Sequence, residues 1–119
     1  MAAPVVFFEI GSPDSAALAG FYGDVLGWQF TELGAARTVV AGHEGGPAGM
    51  LNTLGHPPET YVMVYAQVDD LQAALARCEA AGGRRFVGPL PLPDGRCFAW
   101  VSDPAGNMLG LITPLAAPE

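Results

Sequence analysis

The chain is 119 residues with a formal net charge of −7, half of its residues are hydrophobic and only 14% are charged. That size is one domain's worth, long enough to bury about 65% of its unfolded surface without metal or disulfide staples, and the apolar content excludes disorder. The absence of a basic patch, with all five basic residues Arg and no Lys, argues against nucleic acid as a partner, and no run of 18 apolar residues offers a membrane span. Met1-Ala2-Ala3-Pro4 has neither the charged region nor the apolar stretch of a signal peptide, so a cytoplasmic location is expected.

In chain order, Val5–Ile10 reads as a strand. Asp14 then stands as an N-cap for a helix in which Leu18, Phe21, Tyr22, Val25 and Leu26 recur at helical spacing, with Gly27 just past its end. Short strands follow at about 27–33, 37–43 and 48–53, punctuated by Gly34 and Gly45-Gly46-Pro47. Gly55-His56-Pro57-Pro58 reads as a linker. The order then repeats. Tyr61–Ala66 is a strand, Asp70 a second N-cap, and Leu71, Ala74, Leu75, Cys78 and Ala81 mark a second helix with Gly83 just beyond its end, the place of the left-handed closing glycine, as Gly27 stands beyond the first. Strands are expected at about 84–88, 96–102 and 107–113, with turns at Asp94-Gly95 and Asp103-Pro104-Ala105-Gly106-Asn107.

The two halves share one register. Asp14 and Asp70, Gly27 and Gly83, and Phe30 and Phe86 are each separated by 56 residues without a gap. A shared offset over a strand–helix–strand unit is evidence of duplication. The pattern predicts an α+β fold of two βαβββ modules, about 4–54 and 60–114 within one domain of residues 1–119. The eight strands are expected to form a cup-shaped mixed sheet with two outer helices.

On these residues the chain resembles the vicinal-oxygen-chelate superfamily of glyoxalase I, extradiol dioxygenases and bleomycin-resistance proteins. The resemblance rests on Asp14, Phe21-Tyr22 and Val25-Leu26-Gly27-Trp28 in the first half. In the second it rests on Val68-Asp69-Asp70-Leu71, Ala80-Ala81-Gly82-Gly83 and Asp103-Pro104-Ala105-Gly106-Asn107, and it covers essentially the whole chain. Such motifs define a fold, which hosts many reactions. The resemblance implies metal ligands on the concave face, at positions that here carry Phe7, Met63, Gly110 and one of Gly49 or Met50. None offers the imidazole, carboxylate or thiolate that a divalent metal needs. His56 falls in the linker and His43 beside Glu44 at a strand end. No metal and no other cofactor is therefore expected.

Strand alternation puts Glu9 on the face of Phe7, with Tyr61, Met63, Tyr65 and Gln67 on the paired strand and Met108, Gly110 and Ile112 on the closing one. Val6, Phe8, Ile10, Val62, Val64, Leu109 and Leu111 are expected to face the helices as core, while Gly49 and Gly110 are expected to leave room in the cup. The candidate ligand-binding residues are Phe7, Glu9, Met63, Tyr65, Met108 and Gly110, with Trp28 and Trp100 as walls or as core. Glu9 is the candidate acid or base, or a structural carboxylate bonded to Tyr65, Gln67 or an Arg, and the rest of the set equally suits a filled interior.

Three functions remain open on this reading. The first is a metal-independent binding protein of the bleomycin-resistance type, holding an aromatic or cationic small molecule in the concave sheet. The second is a metal-free lyase or isomerase using Glu9, and the third a structural or regulatory module with a filled cup. A homodimer is expected, since small members of the family commonly pair modules to complete a cup.

Overall fold

The computed structural model describes residues 2–33, 37–41 and 46–115. The expected turn at Gly34, the end of the strand placed at 37–43, and His43, Glu44 and Gly45 lie outside the described residues. Over the described residues the chain is α+β, with mixed strand pairing and two helices. It forms two compact units, Val6–Met63 and Met1–Val5 with Val64–Glu119. The division falls inside two strands rather than in the Gly55–Pro58 linker. Among the described residues, no helix is long and apolar enough to cross a membrane.

In the Val6–Met63 unit, β1 (Val5–Gly11) lies parallel to β4 (Ala48–Asn52), which is antiparallel to β3 (Arg37–Ala41), itself antiparallel to β2 (Gln29–Leu33). The register pairs Phe7 with Ala48, Glu9 with Met50 and Gly11 with Asn52. These six positions share one face of the sheet, and Phe8 with Gly49 and Ile10 with Leu51 share the other. Helix α1 (Ser15–Leu26) packs on β2, β3 and β4. The Asp14 carboxylate accepts the Ala17 N–H at 3.1 Å. Gly27 closes the helix at φ 73°, its N–H bonding to the Gly23 carbonyl at 3.0 Å.

In the other unit, β5 (Tyr61–Gln67) pairs in parallel with β8 (Met108–Ile112) from Tyr65 onward. Antiparallel β7 (Cys97–Ser102) follows beside β8, and β6 (Arg84–Pro91) beside β7 with two register shifts. The N-terminal segment also belongs here, since the Gln67 N–H bonds to the Pro4 carbonyl at 2.8 Å. Helix α2 (Leu71–Ala80) is capped by Asp70, which accepts the Ala73 N–H at 3.0 Å. Its Leu71 and Leu75 bury against Ala99, Val101 and Leu111 to make the core.

Three expectations are corrected. The left-handed glycine after α2 is Gly82 (φ 98°), not Gly83. Gly83 is needed for close approach, since a Cβ there would lie 2.5 Å from Cys78 Sγ and 2.6 Å from the Ser102 carbonyl. Val62 and Val64 are not core but 74% and 39% exposed. The helices cover other strands, α1 lying on β2 to β4 and α2 on β6 and β7, which leaves β5 bare at Val62 and Val64 while Ala66 packs on the core. Gly49 and Gly110 leave no empty room, because the Phe8 ring sits over Gly49 and the Tyr65 ring over Gly110.

Candidate functional site

Glu9 is wholly buried, with none of its surface exposed. Strand alternation sets it between Phe7 and Gly11 on the face that also carries Met50 and Asn52. A buried carboxylate needs donors, and two converge on its Oε2. The Tyr61 hydroxyl donates to it, and the Asn52 side-chain amide donates at 3.3 Å. Asn52 Nδ2 is also 3.5 Å from the Tyr61 hydroxyl, so each of the three groups meets the other two. Gly11 makes the cluster possible: the Tyr61 ring lies where a side chain would be, 1.9 Å from the place of a Cβ.

Phe7 is half-buried and Met63 is 2% exposed. In the other unit Tyr65 and Gly110 are register partners, and the buried Trp100 donates its indole N–H to the Tyr65 hydroxyl at 2.7 Å. Met108 is half-buried at the start of β8. Trp28 sits on the opposite face from Glu9. It stacks on Tyr22 at 5.2 Å between centroids and tilts against Phe8 at 5.3 Å. His56 is exposed, with Nδ1 2.9 Å from the Pro57 carbonyl.

Strand parity predicts Glu9 and Tyr61 on one face. It misses Asn52, whose place beside Gly11 follows only from how β4 registers on β1. The same register decides between Gly49 and Met50: Met50 shares the face of Glu9, while Gly49 turns toward Phe8.

The donor set can be tested against the metal that members of this fold hold. The positions carry Phe7, Met50, Met63 and Gly110, and Gly110 is roofed by the Tyr65 ring. Among the described residues, the carboxylate on the Phe7 face is that of Glu9, which Tyr61 and Asn52 take up. No group of three His, Cys, Asp or Glu that could hold an ion occurs among the described residues. These residues do not fit a divalent metal.

The architecture is that of the vicinal-oxygen-chelate fold. Residues 6–112 match the glyoxalase-like domain, and the chain belongs to that family. It is similar to the anthracycline biosynthesis protein DnrV of Streptomyces peucetius, 31% identical over 119 aligned residues, covering 84% of this chain and 43% of that protein. The chain thus spans less than half the length of that relative. Among solved structures it is similar to Streptomyces coelicolor methylmalonyl-CoA epimerase in complex with 2-nitronate-propionyl-CoA. The TM-score is 0.69 at 17% identity, covering 100% of this chain and 99% of that one. It is also similar to the Mn(II)-bound glyoxalase from Novosphingobium aromaticivorans, with a TM-score of 0.71 at 21% identity over 97% of this chain and 40% of that one.

Proposed function

We propose that this chain is a metal-independent small-molecule-binding member of the glyoxalase-like family, with its ligand on the face that carries Phe7, Glu9 and Met63. One observation carries the reading: where a metal-dependent relative needs donors, this face offers an aromatic ring and a thioether beside a buried carboxylate fastened by Tyr61 and Asn52. The Phe7 ring, the half-buried member of this face, suits a flat, partly apolar molecule. The likeness to an anthracycline biosynthesis protein supports fused aromatic compounds as the first class to try. The binding reading is preferred to the lyase or isomerase one because Glu9 is held by protein groups rather than turned toward a reactant.

The test uses doxorubicin, an anthracycline with a fused aromatic system and an ammonium group. Saturable binding after dialysis against a chelator, unchanged by added Mn²⁺, Ni²⁺ or Fe²⁺, is the expected result. A ligand present at a hundred times its Kd should add about 2.7 kcal/mol to native stability and raise Tm. Binding or turnover that appears only when metal is added would overturn the reading.

The assembly we infer is a homodimer. Phe21, Val25 and Leu26 on α1 are each more than half exposed, an apolar surface that association would cover.

A further inference from the structure

Against Tyr61, the chain forms an open cleft of about 370 Å³ between α1 and the segment entering β5. That volume lies within the usual range of small-molecule pockets and holds one or two fused rings. Two aromatic rings line it, and both are held in place. Tyr22 stacks on Trp28 with an interplanar angle of 20° and meets Phe21 edge-on, their centroids 5.1 Å apart. Tyr61 is held by the bond from its hydroxyl to the buried Glu9, with its ring flat against Gly11. Leu18 and Val62 add apolar wall, and Ser12 and Thr60 add hydroxyls. The Ser12 Oγ accepts the Asp14 N–H at 3.1 Å, so its own proton can be donated to a ligand. None of the described residues lining the cleft carries a charge.

We propose that this cleft is a second small-molecule site, bordering the Glu9 face at Gly11 and Tyr61 but walled by Ile10, Leu18 and Tyr22, built for a flat, uncharged aromatic molecule bearing a hydroxyl. Rings already fixed in position cost little entropy to order on binding, and aromatic walls favour an aromatic partner. With no charge in the lining, an ionised ligand would lose hydration without gaining a counter-charge, and the net charge of −7 disfavours an anion further. A ligand against Tyr22 is one ring away from Trp28, which makes that indole a reporter.

The experiment titrates 1-naphthol into the full chain, followed by calorimetry and by tryptophan emission. One-to-one binding is expected with a change in emission, and Trp28→Phe should remove most of that change while calorimetric binding persists. Sodium 1-naphthoate should bind at least about tenfold more weakly. Val62→Arg fills the cleft from an exposed position and should weaken 1-naphthol by at least about tenfold. Val64→Arg, on the same strand but outside the cleft, should leave it unchanged. If Val62→Arg proves poorly folded by circular dichroism, Thr60→Arg on the exposed rim takes its place. Equal effects of Val62→Arg and Val64→Arg, or an emission change that survives Trp28→Phe, would overturn the proposal. So would light scattering in which Val62→Arg turns a dimer into a monomer and 1-naphthol binds neither form, because the cleft would then be a contact between copies. Doxorubicin binding at the Glu9 face should survive Val62→Arg, so either site can fail without the other.

Discussion

Glu9, Tyr61 and Asn52 make a cluster whose members should not act independently. Replacing Glu9 by Gln keeps the volume but puts an amide N–H₂ where the carboxylate accepts, and Tyr61→Phe removes one of the donors. Each change alone should cost about 1–3 kcal/mol of stability in denaturant titrations, the penalty for leaving a buried polar group without its partner. Because the two residues touch, the double variant should differ from the sum of the singles by about 0.5–3 kcal/mol. Strict additivity would mean that the Tyr61–Glu9 bond carries no energy in solution. Gly110 poses a steric test at the same scale. A Cβ there would lie 2.3 Å from the Tyr65 ring, so Gly110→Ala must displace a ring tied to Trp100. Overpacking of this kind costs about 1–3 kcal/mol, and thermal denaturation should show Gly110→Ala less stable than wild type while Gly20→Ala, where a Cβ meets nothing, is not.

Among the elements, the β7–β8 connection shows why a turn sequence can be read without a structure. The Asp103 carboxylate accepts from the Ala105 and Asn107 backbone N–H groups and from the Asn107 side chain, all at 2.9 Å. Gly106 supplies the φ of 97° that the turn requires. The Asn107 side-chain amide foremost, together with the backbone N–H groups, holds the Asp103 carboxyl below its ordinary value of 3.8. A carboxyl depressed in the folded state stabilises above its unfolded pKa, and that contribution disappears as pH falls through the folded one. Asp103→Ala should therefore lower Tm at pH 7, and the gap to wild type should narrow as pH drops below about 4. The group is exposed, so solvent screening keeps the effect small. Melting curves by circular dichroism between pH 7 and pH 3 would check it, and a gap that widens on acidification would contradict the sign. The helix ends were equally legible: Asp14 and Asp70 cap as their spacing predicts, whereas the left-handed residue after α2 slipped from Gly83 to Gly82. Repeat register cannot resolve one residue where two glycines are adjacent.

For the molecule as a whole, the exposed apolar positions Phe21, Val25 and Leu26 set the expectation for assembly. Light scattering at micromolar concentration should give about twice the 12.3 kDa of one chain. Phe21→Ser with Val25→Ser should shift the population to monomer without lowering helix content. A wild-type monomer across the range would dismiss the dimer.

The amino-acid sequence alone determined what is local or periodic. The caps, the two helices, the succession of elements along the chain and the face shared by Phe7, Glu9, Tyr61 and Met63 all follow from spacings of 3.6 and 2 and from turn chemistry. The family, too, was legible in motifs that are mostly caps and turns. Tertiary structure decided what depends on which strand lies beside which, and in what register. Asn52 reaches Glu9 because β4 pairs with β1 so that Asn52 faces Gly11. The Tyr61 and Tyr65 rings fill the space above Gly11 and Gly110, so a glycine that reads as vacancy is instead the seat of a neighbouring ring. Val62 alternates like a core residue yet stands bare, because alternation fixes which face a side chain takes and not whether a helix covers it.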